Sequence, residues 1–261
     1  MLIVQRQQQL LDILRERHSV ELDDLAATLD VSTSTVRRDL ETLERRGLVQ
    51  RTHGGAVYLG EQRPPTDKPT YALATRMTER VESKRAIARV AAGLIEPHMT
   101  VLLDGGSTVV FAAEAIEARP LQVLTHSISI ANLFKDDERI ELTLLGGTLY
   151  PRTEVTLGPL TTGTLADLHA DLLLFSTVGI YGEDCFNLNL EMARTEQVMM
   201  RQATRSVMLM DSSKFGRKSM ARVCSLAEVD HVITDDGIEA VWRETLADRL
   251  TVAPRSAAGG A

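Results

Sequence analysis

Leu10 and Leu14 fall four apart, with Ile3 and Leu11 nearby, in a stretch otherwise rich in Gln and Arg. That spacing predicts an amphipathic helix at the start of the chain. Leu22, Leu25 and Leu29 predict a second, shorter helix. Val36, Leu40 and Leu43, at i, i+4 and i+7, predict a third. Ser32 is placed to cap its N-terminus, and Gly47 can take the left-handed conformation that ends it. The period then changes. Leu48 to Tyr58, LVQRTHGGAVY, offers two β-capable runs around Gly54 and Gly55, which is a hairpin signal. Three helices followed by a hairpin make the layout of a winged helix-turn-helix, assigned to residues 1–58.

The stretch 59–70, LGEQRPPTDKPT, has no apolar period and carries Pro64, Pro65 and Pro69. Proline fixes φ and disfavours helix in the residue before it, so this segment is expected to be an extended, fairly stiff linker. From 71 to 252 short apolar runs alternate with helical ones. Val81 to Ile95 is helical, Thr100 to Asp104 a strand, and the region near Val109 to Ala118 helical. LQVLTHS is a strand, ISIANLF a helix, and ELTLLGG and DLLLFSTVG two further strands. SVMLMD and HVITDD are two more, with Thr195 to Ala203 helical before them. Strands alternating with helices mean βαβ units and an α/β domain built on a mostly parallel sheet covered on both faces. The tail 253–261, APRSAAGGA, is expected to fray.

Composition changes this picture little. The chain has 261 residues, 44% hydrophobic and 25% charged, which excludes wholesale disorder. Aromatics at 4% argue against a stacking surface for single strands. The net charge of −7 excludes a histone-like polyanion binder but allows a basic patch confined to one region. Cys185 and Cys224 form no C-x-x-C pair, so neither a metal site nor a disulfide framework is expected, and both are expected as small buried hydrophobes. No cofactor motif is present either. The N-terminus turns polar too soon for a signal peptide, and no apolar run approaches a membrane span. A cytoplasmic protein without a membrane partner is expected.

Ser32, Thr33, Ser34 and Thr35 place small hydroxyls on the first turn of the third helix, and Arg37 and Arg38 follow one turn on. Hydroxyls and helix-end N–H groups suit phosphate, while an Arg fork suits guanine O6 and N7 in a major groove. Spacing leaves open which arginine faces DNA. Asp39 and Glu41 would repel phosphate, so they are expected to face solvent or pair with Arg45. Arg51, His53, Gly54 and Gly55 form the candidate wing. An ordinary solvated helix face would explain a charge run equally well. Val31 to Ala56, however, resembles the DeoR-family helix-turn-helix almost position for position, in V-S-x-x-T-V-R-R-D-L-x-x-L and then G-L-V-x-R-x-H-G-G. The resemblance implies that Ser32 to Arg38 form a recognition helix, Arg51 to Gly55 a wing, and duplex operator DNA the partner.

In the second half, Asp104, Gly105, Gly106, Ser107 and Thr108 make a strand-to-helix turn whose glycines, N–H groups and hydroxyls could meet an anion. It is neither G-x-G-x-x-G nor a P-loop, and turning the chain would by itself explain its glycines. Thr125, His126 and Ser127, and Gly146 and Gly147, end other strands in small polar residues, where an open α/β sheet binds its ligand. Lys214 could neutralise a phosphate or simply pair with Asp211. LDGGST, THS, LGG, DSSKFGRKS and VDHVITDDG extend the DeoR-family resemblance to about Gly237. It implies a sensor domain resembling sugar-phosphate isomerases or deaminases, which takes a phosphorylated sugar-pathway metabolite.

Two departures qualify this. His126 stands where most members carry Asn, and Glu196 and Gln197 stand where many carry a Lys-Arg pair. The resemblance then leaves Arg194 or Arg201 to replace the lost cation, or an effector with less negative charge. Val198, Met199, Met200, Met208 and Met210 are expected in the core. The leading expectation is a transcriptional repressor of a carbohydrate operon, homodimeric or homotetrameric, relieved by a sugar or sugar phosphate. The competing one is a sugar-phosphate isomerase or deaminase with a DNA-binding appendage, using Asp104, Asp211 or Glu191 for proton transfer.

Overall fold

The computed structural model describes residues 3–17, 19–45, 49–52, 54–58 and 72–254. The chain divides into two compact units, Met1–Thr70 and Tyr71–Ala261. The expected linker at 59–70 and most of the expected frayed tail lie outside the described residues.

The first unit runs α1 (Ile3–Arg17), β1 (Ser19–Glu21), α2 (Leu22–Leu29), α3 (Thr33–Arg45), β2 (Val49–Arg51) and β3 (Gly55–Tyr58). Leu10 and Leu14 of α1, Leu25 and Leu29 of α2, and Val36, Leu40 and Leu43 of α3 close one core. The hairpin β2–β3 gains a third strand, in the order β1-β3-β2, all antiparallel. Ser-Val-Glu is too short to show alternation, so β1 carries no sequence signal of its own. Its pairing explains Gly55, because a Cβ there would stand 2.1 Å from the Val20 carbonyl oxygen. The expectation for Asp39 is corrected. Rather than facing solvent, it is buried, accepting from Arg6 Nε at 2.5 Å and Gln7 Nε2 at 3.1 Å. This carboxylate joins α3 to α1 and leaves the outer face of α3 free of one acid.

The second unit begins with α4 (Leu73–Thr78) and α5 (Val81–Ala92). It continues with β4 (Thr100–Leu103), α6 (Ser107–Glu114), β5 (Leu121–Thr125), α7 (Ile128–Phe134) and β6 (Ile140–Leu144). A hairpin β7 (Thr148–Tyr150) and β8 (Val155–Leu157) leads to α8 (Pro159–Ala166) and β9 (Ala170–Phe175). Then follow β10 (Gly179–Tyr181), β11 (Asp184–Asn187), α9 (Leu190–Arg201) and β12 (Ala203–Leu209). The unit closes with β13 (Ala221–Ser225), β14 (His231–Asp235), α10 (Ala240–Leu246) and β15 (Leu250–Ala253). Seven of these strands form one parallel sheet in the order β15-β14-β12-β9-β4-β5-β6.

Alternation along each strand feeds two cores. Val101, Leu103, Leu172 and Leu174 enter the layer with α5, α6 and α7. Leu102, Leu173, Phe175, Met208 and Met210 enter the opposite layer with Met199 of α9. Cys185 and Cys224 face one another across β11 and β13, both free and buried in that second core. β4 is the first strand of the sheet. Later strands leave it in both directions, so the order reverses between β4 and β9, and such a point opens a crevice at the strands' carboxyl ends.

Phe175, on the central strand β9, is completely buried. Phe175→Ala is expected to cost about 3–5 kcal/mol, read as a lower denaturation midpoint of the full chain with an unchanged slope.

Candidate functional site

The ends of β9, β4 and β5 converge on a cleft. Asp104, Gly105 and Gly106 enter from the end of β4, His126 from β5, and Ser176 and Thr177 from β9. Thr153 and Val155 come from the β7–β8 hairpin, Asn187 from β11, Met192 and Glu196 from α9, and Arg76 from α4. The glycines of the turn are required by packing. A Cβ on Gly105 would stand 2.1 Å from Val155 Cγ1, and one on Gly106 would stand 2.8 Å from Ser176 Cβ.

Asp104 ties the strand ends together. Its Oδ2 accepts from the Gly106 N–H at 3.2 Å and the Ser176 N–H at 3.3 Å. Its Oδ1 lies 3.2 Å from His126 Nε2. His126 Nδ1 is 3.0 Å from the Thr156 carbonyl, which can only accept, so Nδ1 carries a hydrogen. The contact to Asp104 therefore needs one further proton, held on the imidazolium or on the carboxyl.

Glu196 is 3% exposed in the same cleft. Its Oε1 accepts from Asn187 Nδ2, and its Oε2 has no hydrogen-bond partner among the described residues. Burial holds this carboxyl well above the usual carboxylate range. The charge of Asp104 adds to the effect, and the Asn187 bond partly opposes it.

The positions expected from the sequence distribute unevenly. Asp104, Gly105, Gly106 and His126 line the cleft. Ser107 and Thr108 are buried on α6 outside its wall, and the Gly106 N–H donates to Asp104. Thr125 Oγ1 donates to the Leu103 carbonyl at 2.8 Å, and Ser127 caps α7. Gly147 packs closely against Thr161 of α8, and the Gly146 carbonyl accepts from Thr161 Oγ1 at 2.7 Å. Arg194, offered as a replacement cation, is exposed and pairs with Glu191 at 3.0 Å, and Arg201 is exposed as well.

The cation that does enter the wall is Arg76, which sequence reasoning missed because its segment matched no motif. Ser176 and Thr177 end β9 as Thr125 to Ser127 end β5, in small polar residues at a strand's carboxyl end, which is the signal by which the sequence marks them. Lys84, also missed, is buried with Nζ donating to the Glu79 carbonyl at 2.7 Å and to the Arg76 carbonyl, which pins α4 to α5. Burial pushes its pKa down to about 8, against the opposing charge of Asp211. Lys214 follows β12 outside the cleft wall. Burial lowers it too, and Asp211 partly restores it.

On the first unit, Ser32 Oγ accepts from the Thr35 N–H at 3.3 Å and lies 2.9 Å from the hydroxyls of Ser34 and Thr35. Arg37 and Arg38 are both exposed. At about 100° per residue, Arg38 stands opposite the buried Val36, Leu40 and Leu43, with Ser34 one turn before it. Arg37 flanks this face and lines a groove with Thr52, Gly54 and Gly55 of the wing. Thr33 begins α3, Arg51 lies on β2, and His53 lies outside the described residues.

A winged helix-turn-helix with an exposed Ser and Arg face, joined to an α/β unit with a cleft at its switch point, defines a ligand-responsive DNA-binding regulator. The family model described as the DeoR-like helix-turn-helix domain matches residues 6–62, and that of the DeoR C terminal sensor domain matches 79–236. The chain belongs to the DeoR family of transcriptional regulators.

It is 34% identical to the L-fucose operon activator of Escherichia coli K12, over 88% of this chain and 94% of that one. It is 32% identical to the putative aga operon transcriptional repressor of Escherichia coli O157:H7, over 90% and 87% of the two chains. It is also 32% identical to the transcriptional repressor GlcR of Bacillus subtilis, over 87% and 86%. Among solved structures, a D-ribose-5-phosphate isomerase in complex with phospho-erythronic acid overlaps 51% of this chain and 52% of its own, with 16% identity and a TM-score of 0.38. The overlap is partial, and the fold assignment rests on the sheet itself.

The chain is a regulator and not an enzyme, as its relatives are. The carboxylates of the enzymatic reading are also dispersed. Asp104 is in the cleft, Asp211 lies beyond β12 bonded to Ser213, and Glu191 is exposed. Among the described residues no helix is long and apolar enough to cross a membrane.

A carboxyl raised in the folded state stays protonated while the unfolded chain ionises, so Glu196 removes stability as pH rises from about 4.5. Glu196→Gln is expected to raise Tm at pH 7 and to flatten that decline, leaving Tm at pH 4 nearly unchanged. Parallel Tm-against-pH curves for the two proteins would contradict the assignment.

Proposed function

We propose that this regulator represses a carbohydrate-use operon and is released from its operator when a sugar or sugar phosphate occupies the cleft of the second unit. The observation that carries the reading is the cleft itself. It lies at the carboxyl ends of β4, β5 and β9, with polar and apolar side chains in its wall, in a chain whose other unit presents a candidate recognition helix. The names of its relatives, regulators of the L-fucose and aga operons, favour a sugar-linked effector. One of those names is an activator, so the sign of regulation is an outcome of the same experiment.

Arg38, with Ser34 on the outward face of α3, reads base edges in the major groove. Arg37, beside the wing, meets the phosphate track with Ser32, Thr33, Thr35, Arg51, His53, Gly54 and Gly55. Two operator half-sites one helical turn apart require at least a homodimer, and a homotetramer satisfies the same geometry.

The test is selection of the full chain against random duplex DNA, followed by affinity measurements on the selected site. Arg38→Ala is expected to lose about 1–3 kcal/mol and relax preference at one base position. Arg37→Ala is expected to weaken all sequences alike and to shallow the salt dependence. Wild-type affinity in both variants would overturn the placement of the reading face. Adding a panel of sugars and sugar monophosphates then tests release, and a panel without effect on either DNA binding or Tm would overturn the effector reading.

A further inference from the structure

Glu196 presents a feature that sugar binding in general does not explain. The Asn187 side chain is oriented, because its Oδ1 accepts from the Leu188 N–H at 2.7 Å and so turns Nδ2 toward Glu196. Glu196 Oε1 accepts that N–H. In a carboxylic acid the oxygen that accepts from an amide is the carbonyl oxygen, which leaves the proton on Oε2. Oε2 is buried and has no partner among the described residues, although its side chain forms part of the cleft wall. A buried donor left unpaired costs free energy, and native structures rarely tolerate one without a use.

The surroundings limit what can satisfy it. Asp104 shares the cleft, and both its oxygens are already engaged, by Gly106 and Ser176 on one and His126 on the other. Asp104 and His126, sharing one proton at their contact, add no net positive charge beside Glu196, so a phosphate there would find no counter-charge. Arg76 is the cationic side chain among the described residues that line the cleft.

We propose that Glu196 donates a hydrogen bond from Oε2 to a hydroxyl oxygen of the effector's sugar portion, so that Glu196 takes the uncharged polyol and any phosphate group lies toward Arg76. This rests on the cleft being the effector site and names the chemistry of one end of it. Glu196 is a specificity-determining residue that selects a neutral oxygen acceptor. Glutamine presents an N–H donor at the same place and keeps the Asn187 bond. Leucine keeps the volume and removes the donor.

The experiment titrates the full chain by calorimetry with glucose 6-phosphate, fructose 1-phosphate, ribose 5-phosphate, glucosamine 6-phosphate and inorganic phosphate. If no sugar compound binds the wild type, the effector-site reading fails and this proposal goes with it. If one binds, Glu196→Gln is expected to stay within about threefold of wild type, while Glu196→Leu loses about tenfold, the worth of one hydrogen bond of ordinary strength. Inorganic phosphate is expected to bind wild type and Glu196→Leu alike.

The deoxy analogues of the bound sugar provide a readout independent of the variants. One single deoxygenation is expected to cost the wild type about tenfold and to cost Glu196→Leu nothing further. Four results would overturn the proposal while leaving the effector site standing. These are equal binding by wild type and Glu196→Leu, loss in Glu196→Gln as large as in Glu196→Leu, exclusive binding of the ammonium-bearing glucosamine 6-phosphate, and no sensitive hydroxyl in the wild type. Should Glu196→Leu fail to fold, the glutamine variant and the deoxy series decide the matter alone.

Discussion

The carboxylate of Asp104 is the fastening on which the second unit's cleft depends. Parallel strands diverge at a switch point, and nothing in the sheet's own ladder holds their carboxyl ends at a fixed spacing beyond the last paired residue. Asp104 supplies that spacing by accepting from Gly106 on its own turn and from Ser176 at the end of β9, and by its contact with His126 at the end of β5. Charge-assisted bonds of this kind are the stronger class, and inside a buried site they are not diluted by water. Gly105 and Gly106 follow from the packing around the same turn, since side chains there would clash with Val155 and with Ser176, whose N–H Asp104 holds.

That arrangement bears on Glu196. With Asp104 committed to the strand ends and to His126, the cleft already contains one carboxyl whose position is fixed. A second carboxyl in the same buried wall keeps its proton chiefly because burial penalises its ionised form, and the charge of Asp104 adds to this. Asn187 then decides which oxygen holds that proton. The proton on Glu196 of α9 thus arises first from its burial, and the carboxyl that ties the strand ends reinforces it.

The architecture was legible from the sequence where periods were long. Three helices in the first unit, the alternation of strands and helices in the second, and α7 at Ile128–Phe134 all follow from apolar spacing. The short strands β1, β7, β8, β10 and β11 were not, since three or four residues cannot display a period and owe their pairing to what lies opposite. In the site, the turn at Asp104 to Gly106 was legible because it carries a motif. Ser107 and Thr108 were assigned to the ligand because hydroxyls in a turn look available, and their burial on α6 depends on packing that spacing does not report. Asp39 was misjudged for the same reason. An acid on a polar-looking helix was expected outside, but Arg6 and Gln7, some thirty positions away, give it a buried partner.

Arg76 was the hardest to anticipate, and the reason is physical. A cation reaches the cleft from α4, which belongs to no βαβ unit. Leu73, buried in the core, donates its N–H to the Arg152 carbonyl at 2.8 Å, and Lys84 Nζ donates to the carbonyl of Arg76 itself. Both bonds anchor the helix by its backbone, and the Arg76 side chain lines the cleft. α4 is also the first described element after the segment 59–70 that follows the DNA-binding unit in the chain. A ligand can shift an equilibrium only through contacts that differ between two states. Of the elements lining the cleft, α4 stands nearest in sequence to the first unit, so a contact made at Arg76 acts on the part of the sensor closest along the chain to the DNA-binding unit.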